Sequence, residues 1–79
     1  MSLDRGRAWK IFGAPTDQEG SVNDPRMRDE YGVRWNEKWI YRGEDSRIER
    51  VVLWNRYDFA GAFRVLSDGR AEPLAPPAA

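Results

Sequence analysis

The sequence predicts a mostly β (α+β) domain, a small curled antiparallel meander of four or five strands with one short helix. Three observations carry this expectation. Two runs rich in Trp, Val and Ile, residues 33–42 and 48–57, flank the turn-forming stretch Gly43-Glu44-Asp45-Ser46-Arg47. Further strand-type residues punctuated by turn formers continue from Phe59 to Leu74. Residues 24–32 carry both a helix-start and a helix-stop signal.

Taken in order, residues 7–13 (Arg-Ala-Trp-Lys-Ile-Phe-Gly) form an apolar cluster that suits a strand or a short helical turn, and a first strand is expected. Residues 14–23 are polar, contain Pro15, Gly20 and Ser21, and read as a loop. Asp24 as N-cap, Pro25 at the first helical position and Gly32 as a stop predict the one helix over residues 25–31. Arg26 and Arg28 precede Asp29 and Glu30, an order the helix dipole opposes, so the cap and the packing of Met27 and Tyr31 must carry it.

For the hairpin, pairing Arg42 with Ile48 and continuing outward brings Trp35, Trp39 and Tyr41 together with Val51 and Leu53 on one face, which reads as core. The other face then carries Ile40, Ile48, Val52 and Trp54 among Lys38, Arg42 and Arg50. A slip of one residue would exchange the faces of one strand, so this division depends on the register. The run from Phe59 to Leu66 is interrupted by Ala60-Gly61-Ala62, where small residues point to a bulge, a bend or the close approach of another backbone. Ser67-Asp68-Gly69 is a turn, and residues 70–74 return as an edge strand that tolerates Pro73. Residues 1–74 make one domain, and residues 75–79, Ala-Pro-Pro-Ala-Ala, read as a flexible tail.

Composition limits the chemistry. A chain of 79 residues is one small domain of modest intrinsic stability. With no Cys and no His it has neither a disulfide nor a zinc-type ligand set, and no calcium-loop spacing occurs, so no metal or cofactor is expected. Thirteen basic residues balance thirteen acidic ones, which removes long-range attraction to nucleic acid or anionic lipid. Leu, Ile, Val and Phe number only fifteen, yet zero net charge and the four Trp and three Tyr argue for a folded, aromatic core. The longest apolar run, Val51-Val52-Leu53-Trp54, is far too short to span a bilayer and no signal peptide is evident, so a cytoplasmic location is expected.

Three patterns bear on function. Val33-x-Trp35-Asn36 and Val52-x-Trp54-Asn55 echo one another, either through shared packing or as two Trp-Asn ledges for a ligand. Arg34, Arg42, Arg50 and Arg56 interleave with Trp35, Trp39, Tyr41, Trp54 and Tyr57 in the manner of a single-stranded nucleic-acid surface. Residues 26–56 hold eight basic and six acidic side chains, however, a weak field for phosphate. Asp58, between Tyr57 and Phe59, is the best acid-base candidate, with Glu49 as its possible partner.

The expectation is a non-catalytic binding or accessory protein. Its surface is the face carrying Ile40, Ile48, Val52 and Trp54, rimmed by Lys38, Arg42 and Arg50, and it is covered in a homo-oligomer or by a protein partner. Single-stranded nucleic-acid binding is the alternative, and a small carboxylate-dependent enzyme the second.

Overall fold

The computed structural model describes residues 3–74. In chain order the elements are helix α1 (Arg5–Phe12) and strands β1 (Asp17–Gly20), β2 (Arg28–Glu30), β3 (Val33–Trp35), β4 (Glu37–Arg42), β5 (Ile48–Asn55), β6 (Asp58–Val65) and β7 (Ala71–Pro73). Five strands form one antiparallel sheet in the order β1-β4-β5-β6-β7, and β2 and β3 form a separate two-stranded sheet. The fold is therefore mostly β with one short helix. Strands β4 to β7 are the meander, and β1 adds to the outer edge of β4.

The helix does not lie at residues 25–31. It lies at residues 5–12, where a strand was expected. Asp4 is its extended N-cap, with a side-chain oxygen that accepts from the Arg7 backbone N–H at 2.8 Å. Gly13, at φ 84°, ends it and donates to the Trp9 carbonyl. Residues 5, 8, 9 and 12 then share one side of the helix, which faces the sheet. Asp24 uses its side chain differently, accepting from the backbone N–H of Arg26 two residues on, an Asx turn that leaves the chain extended. Residues 28–30 pair instead with residues 33–35. Tyr31 and Gly32, both at positive φ (60° and 79°), make the two-residue turn between them, the type I′ geometry that matches strand twist.

In the central hairpin Arg42 pairs with Ile48 as expected, but a bulge follows at once. Tyr41 pairs with Arg50, Ile40 with Val51, Trp39 with Val52, Lys38 with Leu53 and Glu37 with Trp54. Glu49 is the extra residue. This shift by one exchanges the faces of β5, so Trp39 joins Val52 and Trp54 while Ile40 joins Val51 and Leu53. A second irregularity, between Leu53 and Trp54, leaves Ala60 unpaired within the small-residue interruption of β6. Gly61 is small for a packing reason, since a Cβ there would meet the Phe63 ring and Val33 of β3.

Both faces of the five-stranded sheet are covered from within the chain. On one, α1 lays Ala8 and the partly buried Phe12 over Trp39, Val52, Trp54 and Ala62, joined by Leu3 just before the helix. On the other, the β2–β3 hairpin sets Tyr31, Val33 and Trp35 over Ile40, Val51, Leu53 and Phe63. The expected exposed patch of Ile40, Ile48, Val52 and Trp54 is therefore not one surface. The bulge divides it between two faces, and Ile40, Val52 and Trp54 are buried, Trp54 completely at 0 % exposure. The tail at residues 75–79 lies outside the described residues. No helix among the described residues is long and apolar enough to cross a membrane.

Candidate functional site

Two consecutive residues at the start of β4 place opposite charges on opposite faces of the sheet. Alternation along the strand points Glu37 toward α1 and Lys38 toward the β2–β3 hairpin, and both are buried. Burying a charge without a partner is costly, so each recruits one from its cover. Glu37, 4 % exposed, meets Arg5 of α1, with Arg5 Nη1 2.8 Å from Oε1 and Nη2 donating to Oε2 at 3.0 Å. Lys38 Nζ donates to Glu30 Oε1 of β2 at 2.9 Å and lies 3.9 Å from Glu19 of β1.

Aromatic rings complete both arrangements. The Arg5 guanidinium lies 5.3 Å from the ring centre of Trp39 and 5.1 Å from that of Trp54. Those two indoles stand 5.0 Å apart and tilted by 54°, an open V. Trp39 also donates its indole N–H to Glu37 Oε2 at 2.9 Å. The aromatic set extends outward through Trp9, edge-on to Trp39 at 5.6 Å, and Phe59, edge-on to Trp54 at 5.7 Å. On the opposite face Lys38 and Arg28 lie 5.1 and 5.2 Å from the Trp35 ring centre.

The loops are tied down by Asn36, the residue at the bend between β3 and β4. Its Nδ2 donates to the carbonyls of Val22 and Asp24 and its Oδ1 accepts from the Arg56 backbone N–H. Gly20 must be glycine beside it, because its φ is 73° and a Cβ would run into the Asn36 carbonyl oxygen. The side-chain and backbone hydrogen bonds from Arg26 hold the Asp24 carboxyl below the ordinary carboxylate value, with smaller help from the charges of Arg26 and Arg28. Burial pushes the Tyr41 hydroxyl up to about 12, outweighing the nearby Arg50 charge. That hydroxyl donates to the Gly13 carbonyl at 2.9 Å and so holds the end of α1.

The seven residues expected to make one surface are dispersed. Trp54 and Val52 line the α1 side, while Ile40, Ile48 and Lys38 lie under the hairpin. Arg42 is exposed at the edge, bound to Asp17 Oδ2 at 2.7 Å and to the Ser46 carbonyl. Arg50 lies over the Tyr41 ring, 5.2 Å from its centre. The two Trp-Asn ledges are not a pair either, since Trp35 and Trp54 belong to different cores and Asn55 is exposed whereas Asn36 is buried. Asp58 and Glu49 stand at opposite ends of β5, the first beside the turn to β6 and the second beside Gly43. Among the described residues no group of three or more Asp and Glu side chains is gathered as a metal would need.

Sequence reasoning passed over Arg5, Trp9 and Glu37. A signal existed in the spacing 5, 8, 9, 12, but two of those four positions are Arg and Ala, and an apolar stripe is hard to see with an Arg in it. What α1 leaves outward is exposed Arg7 and Lys10, flanked by Trp9 at 47 % exposure and Ile11 at 39 %. Comparison of the chain with family models, curated proteins and solved structures finds no match.

Proposed function

We propose that this chain is a non-catalytic binding domain that works through protein–protein contact at the outward face of α1. The observation that carries this reading is Trp9, half exposed and yet fixed edge-on against Trp39. A large ring already held in one orientation loses little conformational entropy when a partner covers it, which is what makes Trp a frequent anchor. Successive helical residues turn by about 100°, so Arg7 and Lys10 project between Trp9 on one flank and Ile11 on the other. Neither cation is ion-paired among the described residues, whereas Arg26, Arg28, Arg42, Arg64 and Arg70 all face carboxylates. The matching surface is a groove with carboxylates at its floor and apolar walls, into which a helix lies. Two copies meeting through this face would oppose like charges, which favours a different, acidic protein over a second copy.

A photo-crosslinking residue at Ile11 tests the reading in cells that make the protein. An adduct with a distinct protein is expected, lost on Trp9→Ala and on Arg7→Glu with Lys10→Glu. An adduct that survives both, or one formed equally from a crosslinker at Glu72, overturns it.

Trp9 beside two unpaired cations also supports a second reading, a stacking platform for single-stranded nucleic acid. Titration of labelled strands at two salt concentrations separates the two. Affinity that falls steeply with salt and is lost with Trp9→Ala marks the nucleic-acid mode.

A further inference from the structure

The inward side of α1 holds a different kind of contact, independent of what meets its outward side. Trp39, Trp54 and Glu37 all belong to β4 and β5, so the carboxylate, the V of indoles and the indole N–H that orients the carboxylate are assembled by the sheet alone. Only the cation, Arg5, comes from α1. Nη2 donates to Oε2 and Nη1 stands 2.8 Å from Oε1, so the planar guanidinium lies alongside the carboxylate through one hydrogen bond and one ionic contact, an arrangement a quaternary amine, with no N–H, cannot make. The planar cation over two ring faces adds a contact that selects the same group.

The remainder of α1 grips the sheet lightly. It has eight residues, a single wholly buried side chain, Ala8, and a terminal hydrogen bond from Tyr41 to Gly13. A helix this short has little stability of its own, and Arg5 stands in its first turn, where ends fray. The Arg5 side chain is 29 % exposed, so it lies between the Glu37 carboxylate and solvent.

We propose that Trp39, Trp54 and Glu37 form a binding site for an arginine side chain, occupied by Arg5 in this conformation and taken by an arginine of a partner polypeptide when Arg5 swings out. Glu37 is 4 % exposed, and emptying the site would strand its charge. Exchange therefore replaces one guanidinium by another and rejects a neutral side chain. Arg5 acts as a built-in competitor that lowers apparent affinity in proportion to the time it occupies the site.

The test titrates N-acetyl-arginine amide into the full chain and follows the indole N–H resonances of Trp39 and Trp54. The Arg5→Ala chain is expected to bind saturably and about tenfold or more tighter than the wild type, because the competitor is gone. Adding Glu37→Gln should abolish binding, and N-acetyl-citrulline amide, neutral and nearly isosteric, should not bind. Arg5→Lys, which keeps a competing cation beside the buried Glu37 carboxylate, should fold and bind the arginine amide more weakly than Arg5→Ala. If Arg5→Ala is folded only in part, its melting temperature is the readout, raised by the arginine amide and not by the citrulline analogue. Equal affinity in wild type and Arg5→Ala, binding by Arg5→Lys as tight as by Arg5→Ala, or an Arg5→Ala chain that neither binds nor is stabilised by the arginine amide overturns the proposal.

Discussion

Asn36 is wholly buried, and its side chain closes three hydrogen bonds to segments 12 to 20 residues away, the carbonyls of Val22 and Asp24 and the N–H of Arg56. Its backbone N–H adds a fourth, to the Trp54 carbonyl at 2.9 Å. Removing the side chain would strand the Asp24 carbonyl and the Arg56 backbone N–H, while the Val22 carbonyl keeps the Arg56 guanidinium at 3.3 Å, and groups left unpaired cost about 1–3 kcal/mol each. Asn36→Ala is expected to lower unfolding stability by about 3 kcal/mol, seen as a fall in the denaturant midpoint at constant slope. Asn55→Ala, the same change in the echoing Trp-Asn pair, touches an exposed side chain and should stay within about 0.5 kcal/mol. The sequence could not tell these two asparagines apart. Their difference comes from the loop at residues 21–24 and the turn after β5, which only the folded chain brings to Asn36.

At the scale of elements, the helix and the β2–β3 hairpin changed places relative to expectation because both begin with an Asp, a residue that caps helices and makes Asx turns with the same atoms. What separates them lies further along each segment. Tyr31-Gly32 takes up the turn that pairs residues 28–30 with 33–35, while residues 5, 8, 9 and 12 find a sheet to cover. The β4–β5 hairpin was legible in its turn and its first pair, but not in the bulge at Glu49, since nothing in the local composition marks a single extra residue. Helix α1 also has a chemical latch. The Tyr41 hydroxyl, whose pKa burial raises to about 12, must stay protonated to donate to Gly13. An unfolded tyrosine ionises near 10, so above that pH the unfolded chain releases a proton that the folded one retains, and stability falls as pH rises from about 10 to about 12. The stabilisation is complete below the unfolded value. Thermal melts across this range should show that loss, accompanied by a change in Trp emission as α1 releases, and Tyr41→Phe should reduce the pH dependence to the share that Tyr31, also raised by burial, contributes.

For the molecule as a whole, the run Val51-Val52-Leu53-Trp54 is the pattern of a strand covered on both sides, and it is covered on both sides. The sequence left the source of the second cover open. With residues 7–13 read as a strand and 25–31 as helix, too little of the chain is left to shield both faces, and a partner is the remaining candidate. The observed covers are α1 and the β2–β3 hairpin, each also held by one of the charges at positions 37 and 38. This changes what Trp54 does. Lying between Trp39 and Phe59 at 0 % exposure, it belongs to the folding core, so its loss is felt first in stability. Replacing a buried Trp by Ala costs about 3–5 kcal/mol, which for a small domain is comparable to the entire margin between folded and unfolded. Trp54→Ala is therefore expected to be unfolded or nearly so near room temperature by near-UV circular dichroism. Trp9→Ala, which removes a half-exposed ring and one edge-to-face contact, should cost about 1 kcal/mol and leave a cooperative melt. The order decides between the two views of the sheet. If Trp54→Ala folds as stably as Trp9→Ala, the α1 side of the sheet is open in solution, and the internal cover described for that face is wrong.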